Sequence, residues 1–544
     1  MFVLFKSCWR DGVSKMMDTL SILLIILALL PPFTLLADKI METWRTNHPD
    51  IPSIGFAGRL ASYLTAVRFL VYAPERIKTG YYQFPNSLFK IPTIVKWELL
   101  ANGTQLANDI RRAREDQLSF HHASCDILQL KYTVKSGIQE EPYHLKVMYQ
   151  RMSGGFGKFC PALLDEIRHA LGDIIPTRED EWTSIPAFSS MVQVIARATN
   201  RVFIGLPVCR DPAYLSLATN FGTWVVGSSF LINLFPTILQ PIVGHIISPY
   251  RRNRRLVEKI LGPMLEERLR LHAEHEGDDD WEGKPNDLIT WMIEEAKGDQ
   301  LTVGNLGVRA LFLNFASVHT SSMVTTHALF DLCVHPEYIE PLREEITSIV
   351  EAEGWTKGAM AKLYKMDSFL KESIRVSGVS GVSLMRKVVH PDGFKFSNGV
   401  TVPYGSFLGV PSYAIHHDPE NYEDPDTFDG WRFYKLCSSK EAGQKDDLDT
   451  LRLKHASTTA SLEYLPFGIG RRACPGRFFA IHEIKTILAQ ILMFYDFKLE
   501  ESIGKPGERP PNTWIGYACL PNMNAKLLFR KRSGRSTLNL DTLE

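Results

Sequence analysis

Close to the carboxyl end the chain reads Phe467-Gly468-Ile469-Gly470-Arg471-Arg472-Ala473-Cys474-Pro475-Gly476-Arg477-Phe478-Phe479-Ala480. A single thiol stands in a loop whose glycines, at 468, 470 and 476, lack the Cβ that would keep the backbone out of tight turns or away from a flat ligand. Pro475 and Gly476 end the loop just before an apolar helical pattern. A cysteine so placed has what a thiolate requires: a helix amino terminus, backbone N–H donors and the cations Arg471, Arg472 and Arg477. The chemistry this suits is ligation of a haem iron through sulfur. An axial thiolate pushes electron density onto iron and favours O–O cleavage, where histidine favours oxygen carriage or peroxidase chemistry. A dinucleotide fingerprint, a buried structural thiol or a solvated basic turn would be simpler readings. The first lacks a βαβ unit around it, and none accounts for Phe-x-x-Gly-x-Arg-x-Cys-x-Gly being met at every position.

That spacing resembles the haem-binding signature of the cytochrome P450 family, with Cys474 as the axial ligand and Phe467 and Gly476 beside it in the haem loop. Other stretches are similar to the family in the same order. Glu372-Ser373-Ile374-Arg375 supplies Glu-x-x-Arg, whose opposite charges face each other at helical i,i+3 spacing. His417-Asp418-Pro419 and Tyr422-Glu423-Asp424-Pro425 lead to a meander ending in Gly430-Trp431-Arg432. The resemblance implies that Glu372, Arg375 and Arg432 form a buried network. Gly430 stands where many members carry proline. Arg472 and Arg386 match positions that bind the haem propionates. The family's Trp-x-x-x-Arg is missing, leaving Lys146 or Arg151 as candidate substitutes.

A long helix is expected from about 303 to 334, and it carries Ala316-Ser317-Val318-His319-Thr320-Ser321. The family shows Ala/Gly-Gly-x-Asp/Glu-Thr-Thr/Ser here. Small residues at 316 and 317 would let the helix pass over a haem face, and the Thr320 hydroxyl would hold water and dioxygen. O–O cleavage needs protons, so a donor network is required nearby. His319 replaces the usual acid and is expected to relay protons, although a helix histidine is ordinarily a hydrogen-bonded structural residue. His319 and His327 are eight apart, not the i,i+4 of a helical zinc pair.

These residues need a large helical body to position them. The fold class expected is mainly α with small β-sheets: the P450 fold, one catalytic domain over 53–531 behind a membrane anchor (1–40) and a hinge (41–52), with a polar tail (532–544). With 45% apolar residues in 544 the chain can bury a large core, and 61 basic against 61 acidic residues give no electrostatic basis for binding nucleic acid. The eight cysteines are scattered without Cys-x-x-Cys spacing, which argues against structural zinc and a disulfide scaffold. Leu20 to Ala37 is almost wholly apolar, and as a helix would reach about 27 Å, nearly a bilayer's hydrocarbon. No small-residue cleavage site follows, which favours a retained anchor over a signal peptide. Flanking Lys and Arg are too even to orient it. The apolar run from Trp224 to Ile247 is broken by Pro236 and Pro241, and the resemblance makes it a substrate-access roof that dips into the membrane. Glu274 to Asp287 reads as a solvated acidic loop.

The expected activity is a haem-thiolate monooxygenase inserting one oxygen atom from O2 into a hydrophobic small molecule. Electrons would come from NADPH through a separate reductase, with cytochrome b5 as a second possible donor, since no flavin or nicotinamide domain is evident. The family's placement is the endoplasmic reticulum membrane with the catalytic domain cytosolic, where the Asn102-Gly103-Thr104 sequon would stay unmodified. The His-Thr-Ser motif, Ile51 to Phe56 and Leu118-Ser119-Phe120 resemble fungal members related to ent-kaurene oxidases, which implies a terpenoid substrate in secondary metabolism. Two other readings stay open: an O2-independent haem-thiolate isomerase or dehydratase, opposed by Thr320, and a non-catalytic haem sensor.

Overall fold

The computed structural model describes residues 50–55, 59–152, 156–178, 181–278, 281–438, 448–500 and 507–532. The expected anchor, most of the hinge and the tail beyond 532 lie outside the described residues. The helices that build the site are α1 (Phe156–Ile174), α2 (Ala187–Phe203), α3 (Pro212–Asn233), α4 (Gln240–Ile247), α5 (Tyr250–Glu274), α6 (Leu288–Glu295), α7 (Val303–Val334), α8 (Tyr364–Ser377) and α9 (Arg477–Phe494). The strands used below are β1 (Leu88–Pro92), β2 (Trp97–Ala101), β3 (Leu118–Ser119), β4 (Thr183–Pro186), β5 (Ser383–Val388), β6 (Phe407–Val410), β7 (Tyr495–Leu499) and β8 (Lys526–Lys531). The protein is mainly helical with small sheets, as the sequence predicts.

The organising element is α7. Its 32 residues contain no proline, and Arg309 and Asp331 are its only charged side chains. A helix apolar all round has no solvent face and becomes a core element. Thr302 starts it, accepting the Asn305 N–H on its hydroxyl at 3.3 Å, and the run then extends about 48 Å. Helices α2, α3, α5, α8 and α9 pack directly on it. Three of these layers meet at a buried polar node. Tyr214 of α3 donates to Asn200 of α2 at 2.8 Å, and Asn314 of α7 exchanges hydrogen bonds with both. Each amide and hydroxyl is therefore satisfied inside the core, which fixes the relative rotation of the helices.

Helix α3 is long and apolar enough to cross a membrane by length and composition. Its inner face, however, is committed to α7. Gly222 lies so close that an added Cβ would sit 2.4 Å from the Phe315 ring. The outer side of the roof is apolar and bare: Ile238, Ile242 and Ile246 are 73%, 61% and 77% exposed. The prolines act where the sequence predicts, with α3 ending before Pro236 and α4 starting with Pro241 in its first turn.

A five-stranded sheet in the order β1-β2-β6-β5-β3 closes the other side, antiparallel except for the parallel β2–β6 pair. A second sheet, β4-β8-β7, pairs residues 183–186 with residues 526–529. The described residues of the acidic segment 274–287 are exposed or half-buried as far as Asn286, as the sequence predicts. Asp287 is buried, caps α6 by accepting the Thr290 N–H and pairs with Arg268 at 2.8 Å. Asn102 of the sequon is also buried, and its amide donates to the Tyr81 and Phe84 carbonyls. Glycan attachment there would require unfolding.

Candidate functional site

The cysteine loop is made by its glycines. Gly468 and Gly470 adopt φ of 66° and 80°, the left-handed region closed to most side chains. Gly470 also passes Arg111 so tightly that a Cβ would lie 3.1 Å from its Cγ. The turn brings the Cys474 N–H onto the Phe467 carbonyl at 2.8 Å, and Arg477 donates to the Cys474 carbonyl at 2.8 Å. Helix α9 starts at Arg477, so Cys474 sits just before a helix amino terminus. Burial pushes its thiol pKa up, opposed by the N–H groups of Gly476 and Arg477 and by the Arg477 charge. Among the described cysteines it is the one whose sulfur has backbone N–H donors. Such donors steady a thiolate once a metal has displaced its proton.

Glu372, Arg375 and Arg432 are brought together. Glu372 and Arg375 are fully buried and joined by two hydrogen bonds of 2.8 Å, while Arg432 Nε reaches Glu372 at 3.1 Å. Arg375 also donates to the carbonyls of His416 and Pro425, and the Asp429 N–H donates to Glu372. His416 Nε2 in turn accepts the Leu465 N–H at 3.1 Å, at the foot of the cysteine loop. The network thus reaches from α8 through the meander to the residues before Cys474. Gly430 departs from proline for a visible reason. Its N–H donates to the Tyr338 hydroxyl at 3.0 Å, and any Cβ would meet Phe369 and Tyr338 at 2.9 Å.

Arg386 is 5% exposed, extends from β5 with its Nη1 on the Met385 carbonyl, and forms no ion pair among the described residues. Burial lowers its pKa to about 10, so it stays a cation at neutral pH. Arg472 lies near enough to repel it and pairs with Glu115 at 3.0 Å. Lys146 and Arg151 are placed elsewhere. They pair with Glu295 and Glu294 on the surface beside α6. The residue from that segment that does reach the cysteine loop is Tyr149, whose hydroxyl donates to the Ala473 carbonyl at 3.3 Å. A tyrosine between two cations gives no sequence signal of its own.

On α7, Ala316 and Thr320 are exposed while their neighbours are mostly buried, so one short stripe of a core helix faces open space. The Thr320 hydroxyl folds back onto the Ala316 and Ser317 carbonyls at 2.9 and 3.2 Å. His319 points to α3, with Nε2 at 3.0 Å from the Thr219 carbonyl. Burial lowers its pKa below the usual value, so it is neutral with the proton on Nε2 and Nδ1 left as an acceptor. A further acid adjoins the same stretch. Glu483 of α9 is fully buried, accepts from Thr199 at 2.8 Å and has its pKa raised to about 8 by burial, against the Thr199 and Ser321 hydroxyls. It therefore carries a proton at pH 7, and its Oε2 has no hydrogen-bond partner among the described residues.

These residues fit a thiolate-ligated haem: a donor-supported cysteine, a buried guanidinium lacking an anion, and a small-residue stripe opening from the core. The chain matches the profile of the family described as Cytochrome P450 over residues 162–527. It is similar to "Cytochrome P450 monooxygenase 103" of Postia placenta, 38% identical over 482 residues covering 89% of this chain and 93% of the relative. "Cytochrome P450 monooxygenase 151" of the same fungus is 37% identical, with 89% and 94% covered. "Ent-kaurene oxidase" of Gibberella intermedia is 29% identical over 493 residues, with 89% of each chain covered.

Proposed function

Because the chain belongs to the cytochrome P450 family and is a haem-thiolate monooxygenase, we propose that it oxidises a terpenoid of fungal secondary-metabolite type at the endoplasmic reticulum membrane. Its electrons would come from NADPH through a separate reductase. The observation that carries the substrate class is the likeness to ent-kaurene oxidase along nearly the whole chain. The bare apolar roof around α4, together with exposed Leu64, Val67 and Val71, supports a membrane-facing entry for a water-insoluble substrate.

Cys474 would hold the haem iron, and Arg386 and Arg472 its carboxylates. The bound haem would supply activation of dioxygen and insertion of one oxygen atom. The chain's own contribution is placement and protons. Ala316 leaves room beside Thr320, whose hydroxyl can turn from its helix carbonyls toward a ligand at little cost, since both bonds are intrahelical. His319 can receive a proton only at Nδ1, and Glu483 keeps one in a dry interior near Ser321. Helix α3 and the apolar core limit water to that stripe. Co-expression with a fungal reductase and product profiling over diterpene, sesquiterpene and triterpenoid panels tests the substrate class. Turnover confined to fatty acids or aromatic substrates would overturn it.

A further inference from the structure

We infer that Tyr149, with Arg386 and Arg472, forms the cradle for the haem's carboxylate side chains, taking the place that the absent Trp-x-x-x-Arg leaves open. The inference rests on haem binding at Cys474 and adds Tyr149, which no motif names. Three features converge on it. First, Arg386 is a buried cation whose hydrogen bond among the described residues goes to the neighbouring Met385 carbonyl. A buried guanidinium without an anion is costly, and a carboxylate is its natural complement. Secondly, the Tyr149 hydroxyl is seated on the Ala473 carbonyl, between Arg472 and Cys474 in the loop. Thirdly, that hydroxyl's bond to Ala473 is long at 3.3 Å, so the O–H is weakly tethered and can turn to a stronger acceptor.

Local structure explains why tyrosine does this and the nearby cations do not. Residues Met148–Met152 form a π-helical turn, which widens the helix and shifts the phase of the side chains it carries. Met148 and Met152 point into the core, Tyr149 reaches the cysteine loop, and Arg151 is turned to Glu294. Glu115 holds Arg472 by its Nε, leaving the other guanidinium nitrogens for a second carboxylate. The cradle is therefore two guanidinium groups and a phenol donor, drawn from β5, the cysteine loop and the 148–152 turn.

The test uses the full-length holoprotein and measures haem transfer to apomyoglobin and the iron reduction potential. Tyr149→Phe keeps the ring and removes the donor. Losing one hydrogen bond to a charged group is expected to speed haem release about tenfold to a hundredfold and shift the potential. Lys146→Met and Arg151→Met are expected to release haem at the wild-type rate. Arg386→Met is expected to exceed Tyr149→Phe; if it fails to fold, the tyrosine variant still decides. Wild-type release and potential in Tyr149→Phe, or fast release in Arg151→Met, would overturn the cradle. A wild-type protein that binds no haem at all would instead refute the haem reading itself.

Discussion

Cys474 is distinguished from the other described thiols by what surrounds its sulfur: two backbone N–H groups at the start of α9 and the Arg477 charge. Cys474→Ser is expected to abolish the red-shifted Soret band of the reduced carbon monoxide complex, while Cys333→Ser and Cys437→Ser keep it. The oxygen stripe gives a finer expectation. Thr320→Ala should leave haem content unchanged but divert NADPH electrons to peroxide or water, read as the ratio of product to NADPH consumed. His319→Ala is expected to do the same if Nδ1 relays protons. Unchanged coupling would reduce His319 to a tie between α7 and the Thr219 carbonyl of α3.

Among elements, the meander is held by charges that cannot be solvated. Removing one member of a buried ion pair strands the other and costs about 3 to 5 kcal/mol. Glu372→Ala is accordingly expected to yield haem-free or aggregated protein, seen as a lost Soret-to-protein absorbance ratio. Gly430→Pro should be nearly as damaging, because it deletes the N–H that Tyr338 accepts and forces atoms against Phe369. The contrast marks how far sequence could be read. Glycine and cysteine spacing, Glu-x-x-Arg and the apolar run of α7 are local codes, and they located the loop, the network and the central helix. Tyr149, Asp287 and Glu483 matter through partners remote in sequence, Ala473, Arg268 and Thr199, which no periodicity reports. The π-turn at 148–152 likewise sets the side-chain phase of the segment in which the sequence offered Lys146 or Arg151.

For the whole molecule, buried titratable groups fix where the fold is most stable. His144, His416 and His417 are held neutral, their pKa values lowered by burial to about 3, 3 and 4. Their stabilisation is complete above the unfolded value near 6.5 and is lost as pH falls toward those folded values. Glu483 acts oppositely. Its pKa is raised to about 8, so its contribution is complete below the unfolded value near 4.5 and declines as pH rises to 8. These histidines, joined by His482, whose pKa burial lowers to about 4, outweigh Glu483 below pH 6.5, and Glu483 acts just above it. Thermal midpoints should therefore peak near pH 6.5, with the acid limb the steeper. Glu483→Gln should flatten the decline between 6.5 and 8, and an unchanged alkaline limb would show that another group controls it.

The bond from Tyr149 to Ala473 joins positions 324 residues apart, and β4 pairs with β8 across a similar span. On a ribosome adding about 5 to 20 residues per second, the 148–152 turn waits on the order of 20 to 60 seconds for its partner to be synthesised. Until then the apolar sides of α1, α2 and α7 lack the cover of α9. Haem capture in the cell is thus a late event in synthesis, and production of active protein should depend on how well chaperones shelter that half-made core.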